Sequence, residues 1–519
     1  MRFQAERSFI VPALYRVISL TVLGVALAFS LAGCDGTGTG GNNDENPSPS
    51  SDPVGGFSSQ PAPVVIDGQN DDWSNLTPLY DDTGDGGEGI AIEKLWVAHT
   101  DQHLFLRLIV DRQIDLLENN DLTLYLDADN NPATGASSLG LGAELEWIFG
   151  QRTGRLRGQE ISHDEIQISS LPTVRSDEFE IALDRSVESV FSGDSIRIGV
   201  SSGGDRLPDE DGGLGYVFSD TDATTDAPSL NHPPASGVRL LSYNVLGGSI
   251  FDPDVQSNYR RIFGAIQPDI IGLQEAVRSA DETERVVEGE LGIPDTWDWA
   301  KAGNVLGSRY PIKDTHVIPG TEDTSSGAFL LDTQDPLGDE LIVVLMHPPC
   351  CNDDGGPDQR SRDERRQLVV DGVAAFLRDV KQGDGPFGVA QGTPIAVTGD
   401  MNFVGDPQQP RTLRTGEIVN TDRFGPSASP DWDDSPLLDT NPRQVAAPFH
   451  TTWTTSESSF SPGRLDYTYV TDSALNVAHE FVLNTQRLSD AALSENGLRR
   501  NDTVMASDHL PLVVDLTLR

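Results

Sequence analysis

Two short polar clusters decide how this chain reads: Thr398-Gly399-Asp400-Met401-Asn402-Phe403 and, near the C-terminus, Ser507-Asp508-His509-Leu510-Pro511. Each closes an apolar run, Ile395-Ala396-Val397 before the first and Val504-Met505-Ala506 before the second. Apolar runs of this length, bounded by Gly or polar residues, read as buried strands. Residues i and i+2 of an extended segment project to one side. Asp400 and Asn402 are therefore expected to aim a carboxylate and an amide at one spot, and Asp508 with His509 adds a carboxylate beside an imidazole. Metal-assisted attack on a phosphate needs this chemistry: anionic oxygens for a hard cation, and an imidazole for a proton or developing charge.

Working back along the chain, Val238 to Val245 reads as a strand with Asn244 near its end. Tyr259 to Ile266 is helix-like, and Pro268 to Glu275 is another strand, ending in a carboxylate. Four motifs thus follow one another: Ser242-Tyr243-Asn244-Val245, Ile270-Ile271-Gly272-Leu273-Gln274-Glu275, Gly399-Asp400-Met401-Asn402 and Ser507-Asp508-His509-Leu510-Pro511. In this order they resemble the endonuclease/exonuclease/phosphatase superfamily, which includes secreted deoxyribonucleases, abasic-site endonucleases, sphingomyelinases and inositol-polyphosphate phosphatases. One such motif alone is weak; four in order are specific. Ser308-Arg309-Tyr310-Pro311-Ile312, the Leu341–Met346 run that delivers His347, and Arg464-Leu465-Asp466-Tyr467 fit the same pattern.

For residues 238–519 the resemblance implies an α/β four-layered sandwich, two mostly antiparallel sheets flanked by helices. It implies Mg²⁺, with Mn²⁺ or Ca²⁺ as alternatives, held chiefly by Glu275 with Asn244 and Asp508 nearby. Asp400 and Asn402 would orient the attacking water and hold a phosphoryl oxygen. His347 and His509 would bind phosphate oxygens or move protons, and Asp466 would stand at the site. Taken singly, Glu275 would be a solvated strand end, His509 a structural histidine and Asp466 a partner of Arg464. The dense basic cluster Arg360, Arg362, Arg365 and Arg366 has two readings: a phosphate grip, or a helix surface pairing with Asp363 and Glu364. Arg362 to Asp379 is expected to be an amphipathic helix.

At 519 residues the chain is too long for one ordinary domain. Its formal net charge is −45. From Val238 onward there are 23 Lys+Arg against 43 Asp+Glu, and before it 13 against 38. Neither part is a basic nucleic-acid platform, although a nuclease with a small contact area remains compatible. The three cysteines, Cys34, Cys350 and Cys351, make no disulfide framework. The adjacent pair reads as two free, partly buried thiols rather than a strained vicinal disulfide.

Residues 1–34 read as an export signal: Arg2, Arg7 and Arg16, then the apolar run Val17 to Leu31, too short to span comfortably. Its end, Leu31-Ala32-Gly33-Cys34, resembles a bacterial lipobox, which implies lipidation at Cys34 and an extracytoplasmic, membrane-anchored protein. Residues 35–63 read as a flexible tether. Residues 64–219 read as a separate all-β sandwich, with a hairpin around Thr100-Asp101-Gln102 and strands at Leu122–Leu126, Glu144–Phe149, Phe179–Leu183 and Ser195–Val200. Its Ile66-Asp67-Gly68 with Trp73, its Leu-Tyr-Leu-Asp-Ala-Asp stretch and its Phe-Glu-Ile-Ala-Leu segment resemble family-nine carbohydrate-binding and DOMON-like modules. A glycan is the ligand such a module implies, yet Trp73, Trp96 and Trp147 read better as core than as sugar platforms. Asp127, Asp129 and Asn131 read as a polar turn rather than a Ca²⁺ loop, since Pro132 stands where an EF-hand needs Gly. Residues 220–237 read as a second linker.

The function implied is metal-dependent hydrolysis of phosphate esters outside the cytoplasm, first of extracellular nucleic acid. A sphingomyelinase-like or small-organophosphate activity is the alternative. A binding lipoprotein with an inactive hydrolase fold is the alternative of another class.

Overall fold

The computed structural model describes residues 56–82, 89–191, 193–220, 223, 228–231, 237–292, 296–321, 324–350 and 361–519. The expected signal, with Cys34, lies outside these residues, as do Cys351 and Arg360. No helix among the described residues is long and apolar enough to cross a membrane.

From Val238 onward two six-stranded sheets form. The first runs Asp298–Ala302, Asn304–Ser308, Ile270–Gln274, Val238–Asn244, Leu512–Leu518, Leu475–Val482. The second runs Ile312–Thr321, Thr324–Leu331, Leu341–Met346, Ile395–Asp400, Asp466–Val470, Leu438–Asp439. Each contains one parallel pair and is otherwise antiparallel. Strands buried on both faces explain the near-continuous apolar runs. Leu240, Ile270, Leu306 and Val514 from the first sheet pack against Phe329, Val343, Leu345 and Ala396 from the second. The outer faces are covered by helices: Gln256–Ile266 on the first sheet, through Tyr259, Ile262 and Phe263, and Arg362–Gln382 on the second, through Val369, Val373, Phe376 and Leu377. The order helix, sheet, sheet, helix is the expected four-layered sandwich.

Upstream, a five-stranded and a seven-stranded sheet face each other across one core, including Leu95, Leu106 and Phe179 from one and Leu124, Trp147 and Ile198 from the other. The hairpin of Ile92–His99 with His103–Ile114 forms as read. Trp73, Trp96 and Trp147 are buried, so none offers a face to a sugar. This sandwich is not separate. Pro53–Arg519 is a single compact unit, and Val64, Ile66, Trp73 and Phe105 share a cluster with Ala447 and Phe449.

Several local readings need correction. Val504-Met505-Ala506 is not a strand but the end of the short helix Asp502–Ala506, with Met505 57% exposed; three residues are too few to set a period, and Thr503 is bonded to Thr485. Asn402 is not extended: the strand ends at Asp400 and Asn402 has φ +49°. Arg362–Gln382 is not amphipathic, because its polar side is covered too, with Arg365, Arg366, Gln367 and Asp371 buried. Cys350 is disulfide-bonded rather than a free thiol, its partner lying outside the described residues. Tether and linker are shorter than read. Ser58 and Pro61 bridge to Tyr216 and His99, and Leu230 is buried in the helix-side core, its carbonyl taking Arg239.

Candidate active site

The motif residues meet where strands of the two sheets end side by side. Asn244 ends a central strand of the first sheet, and Glu275 follows the neighbouring strand with φ +58°. That turn swings the Glu275 carboxylate back, so that Asn244 Nδ2 donates to its Oε1 at 3.0 Å and the Gly247 N–H to its Oε2 at 2.5 Å. From the second sheet, Asp400 and Asp466 are direct cross-strand partners, which brings two carboxylates together. His347 follows the adjacent strand Leu341–Met346.

Asp400 Oδ2 is the point of convergence. It accepts from Asn244 Nδ2 at 2.9 Å, with His347 Nε2 at 3.4 Å and His509 Nε2 at 3.5 Å. The other ring nitrogen of His509, Nδ1, meets Asp466 Oδ2 at 2.8 Å. Burial opposes a charge on His509, but Asp466, Asp400 and Asp508 outweigh it and push the imidazole up to about 10. The imidazole is thus the proton-bearing partner among these carboxylates, and Asp466 does not pair with Arg464, which binds Asp439 instead.

Asp508 stands slightly apart. Its Oδ2 accepts from Trp453 Nε1 at 3.0 Å, while Ser507 Oγ donates to the Asn244 carbonyl at 2.8 Å and so ties the Asp508 segment to the first sheet. Asn402 Nδ2 donates to the Pro348 carbonyl at 3.1 Å, fixing the loop that leaves His347. Ser308 is fully buried and caps its own turn, accepting from the Tyr310 N–H. Arg366 is not a phosphate grip on the surface: it is 3% exposed and donates to the Pro349 and Val404 carbonyls and to Asp363. Sequence reasoning missed Trp453 and Thr452, whose Oγ1 accepts from the Asp466 N–H; they lie in a stretch with no period and no motif.

Of three trios among the described residues that gather ligand atoms within 4.8 Å of one another, two lie here, Glu275-His347-Asp400 and Asp400-Asp466-His509, and either could hold a metal ion; the third, Asp127-Asp129-Glu144, lies in the N-terminal sandwich. Asp508 belongs to none of them. Among the described residues no Lys or Arg forms an ion pair with Glu275, Asp400, Asp466 or Asp508, whose only ionic partners are His347 and His509. An excess of carboxylate over cationic side chain suits a divalent cation, with Glu275 the partly exposed carboxylate of the first trio.

A sequence profile described as the Endonuclease/Exonuclease/phosphatase family matches residues 241–509, just over half of the 519 residues. The chain belongs to this family. That membership makes it a phosphoesterase-type hydrolase. No curated protein matches the chain. Among solved structures, the chain is similar to sphingomyelinase C from Streptomyces griseocarneus, at 15% identity and TM-score 0.33, over 54% of this chain and 99% of that one. It is similar to the AP endonuclease LMAP from Leishmania major at 14% identity and TM-score 0.33, over 56% and 90%. The cytolethal distending toxin from Actinobacillus actinomycetemcomitans matches at 14% identity and TM-score 0.31, over 54% and 98%.

Proposed function

We propose that the chain is a divalent-cation-dependent phosphodiesterase of nuclease type, working outside the cytoplasm. The observation that carries this reading is the convergence of Asn244, His347 and His509 on Asp400 Oδ2, with Glu275 alongside. A phosphate diester resists attack because its oxygens repel the nucleophile. Glu275, with the Asn244 side chain beside it, would hold the cation, which when bound neutralises charge on the phosphoryl oxygens; Asp508, held by Trp453, would stand outside that contact. Asp400 would align the attacking water and accept its proton. His509 keeps its Nδ1 proton on Asp466, so its Nε2 N–H is left to donate to the phosphoryl group. His347, the more exposed imidazole, would meet a phosphate oxygen at the mouth. The lipobox-like Leu31-Ala32-Gly33-Cys34 supports anchoring to a bacterial membrane through Cys34.

The test uses the purified full chain on bis(p-nitrophenyl) phosphate, plasmid DNA, p-nitrophenyl phosphate and sphingomyelin. Turnover of the diester and of DNA is expected, abolished by chelator and restored by Mg²⁺. It should also vanish in Glu275→Ala and His509→Ala. Chelator-resistant turnover would remove the cation from the reading. Sphingomyelin or monoester cleavage without DNA cleavage would replace the nuclease assignment, and inertness toward all four would end the hydrolase reading.

A further inference from the structure

The N-terminal sandwich is fastened to the segments that carry the candidate site. Thr173, in the turn between the strands Ile168–Leu171 and Ser176–Asp184, donates its hydroxyl to the Phe403 carbonyl at 2.8 Å and lies 3.2 Å from the Arg464 carbonyl. Phe403 directly follows Asn402, and Arg464 stands two residues before Asp466. One side chain of the sandwich therefore joins the chain leaving Asp400 to the chain entering Asp466. The contact continues along the backbone: Val174 bridges to Gly405, and the Arg175 N–H donates to the Gly405 carbonyl at 2.7 Å. The approach at Gly463 is close enough that a Cβ there would stand 2.7 Å from Thr173 Cγ2.

A second fastening holds the segment 448–463 near both ends. The Ile66 N–H donates to the Pro448 carbonyl at 2.8 Å, and the His450 N–H returns to the Ile66 carbonyl at 3.0 Å. Further on, His163 Nε2 meets the Ser458 carbonyl at 2.9 Å, and the Arg152 guanidinium lies 4.1 Å over the Phe460 ring. Between these anchors sit Thr452, which accepts the Leu465 and Asp466 N–H groups, and Trp453, which holds Asp508.

We infer that the sandwich is a working part of the catalytic rim, and that Thr173 is a positioning residue that steadies the segments leaving Asp400 and entering Asp466. This rests on the hydrolase reading above. A sandwich that served only as a tethered binding module would need no hydrogen bond into the Gly-Asp-Met-Asn loop. Glue between two domains would not need to grip the two carboxylate-bearing segments with one hydroxyl. Small displacements at reacting groups carry large rate penalties, so such a clamp has a kinetic consequence beyond its stability.

Two full-chain variants test this. Thr173→Val keeps the shape and removes the hydroxyl; Thr173→Ser keeps the hydroxyl. Thr173 is only partly buried, so both should fold, as melting curves would record. With bis(p-nitrophenyl) phosphate and Mg²⁺, Val is expected to lower kcat by about tenfold or more at near-constant KM. It should also speed amide exchange in peptides covering 399–405 and 463–467, and Ser should restore both. Wild-type kcat in the Val variant overturns the inference, even if its melting midpoint falls. So does an equal loss in Val and Ser. If the wild-type chain cleaves none of the four substrates, the hydrolase reading fails on its own. Amide exchange then still decides the clamp: unchanged exchange in the Val variant overturns it, and faster exchange in both peptides upholds it.

Discussion

Gly399 offers a test of the site through a residue that carries no chemistry. It precedes Asp400 with φ +144°, in the strand paired in parallel with Leu341–Met346. A Cβ added there would lie 2.1 Å from the Met346 carbonyl oxygen, against an ordinary contact of 3.4 Å or more. Gly399→Ala must therefore part the two strands by about 1.3 Å or distort one of them, an overpacking that typically costs about 1–3 kcal/mol. The unusual φ adds about 1–3 kcal/mol for a residue with a side chain. These two strands deliver His347 and Asp400, whose Nε2 and Oδ2 stand 3.4 Å apart. A shift of about 1 Å at such a pair predicts a loss of about 100-fold in kcat. Thermal melts and kcat on bis(p-nitrophenyl) phosphate, measured below the melting transition, read the two effects separately. Gly264→Ala is the control: it lies inside the helix Gln256–Ile266 with open space around its Cβ. It should leave kcat alone and raise stability by about 0.5–1 kcal/mol. If Gly399→Ala kept wild-type kcat and melting midpoint, the account of how these strands aim the site would be wrong.

Asp466→Asn removes the negative charge facing His509 Nδ1 while keeping the side chain's size. The expected result is a fall in kcat of about 10²–10⁴-fold, with Mg²⁺ affinity by calorimetry near wild type; full activity would sink the assigned role. Glu180 predicts a pH effect on stability. It is buried, accepting from the Asp67 and Gly68 N–H groups and from Trp73 Nε1, and burial, reinforced by Asp67, pushes its carboxyl from 4.5 to about 8. The folded state then binds this proton more tightly than the unfolded chain. Stability from this group is complete below about pH 4.5 and lost as pH rises through about 8, on the order of 4–5 kcal/mol in all. Melting midpoints from pH 5 to 9 should fall for wild type relative to Glu180→Gln; parallel profiles would refute the shift.

What the sequence made legible were features set by local pattern. The apolar runs around Leu240, Ile270, Val343 and Ala396 are short, carry β-branched residues and are bounded by polar ones, so they read as doubly buried strands, and the motif residues at their ends followed from that. Features set by tertiary contact were not legible. A helix covered on its polar side by the Gln408–Thr415 helix and the loops around it buries Arg366 and Asp371, where pattern reading assumes a solvent face. Trp453 reaches Asp508 through one hydrogen bond and Thr173 reaches two carbonyls through one hydroxyl, and no spacing rule announces a residue whose partners lie 55, 230 or 291 positions away.

The inward turn of that helix bears on what the site can grip. Its arginines were the one dense basic cluster in a chain of net charge −45, and Arg365 and Arg366 are only 2% and 3% exposed. Tracking a polyanion requires a row of solvent-facing cations that displace counterions along the strand. At the candidate site itself carboxylates outnumber imidazoles, Glu275, Asp400 and Asp466 against His347 and His509, so a phosphate would be drawn there by the divalent cation those carboxylates would hold and by the two imidazoles beside it. Such a site gathers its affinity at a single phosphate. A polymer would then be held mainly at the group being attacked, so the fit of that one phosphodiester between the two imidazoles, rather than the length of chain on either side, should govern which esters are cleaved.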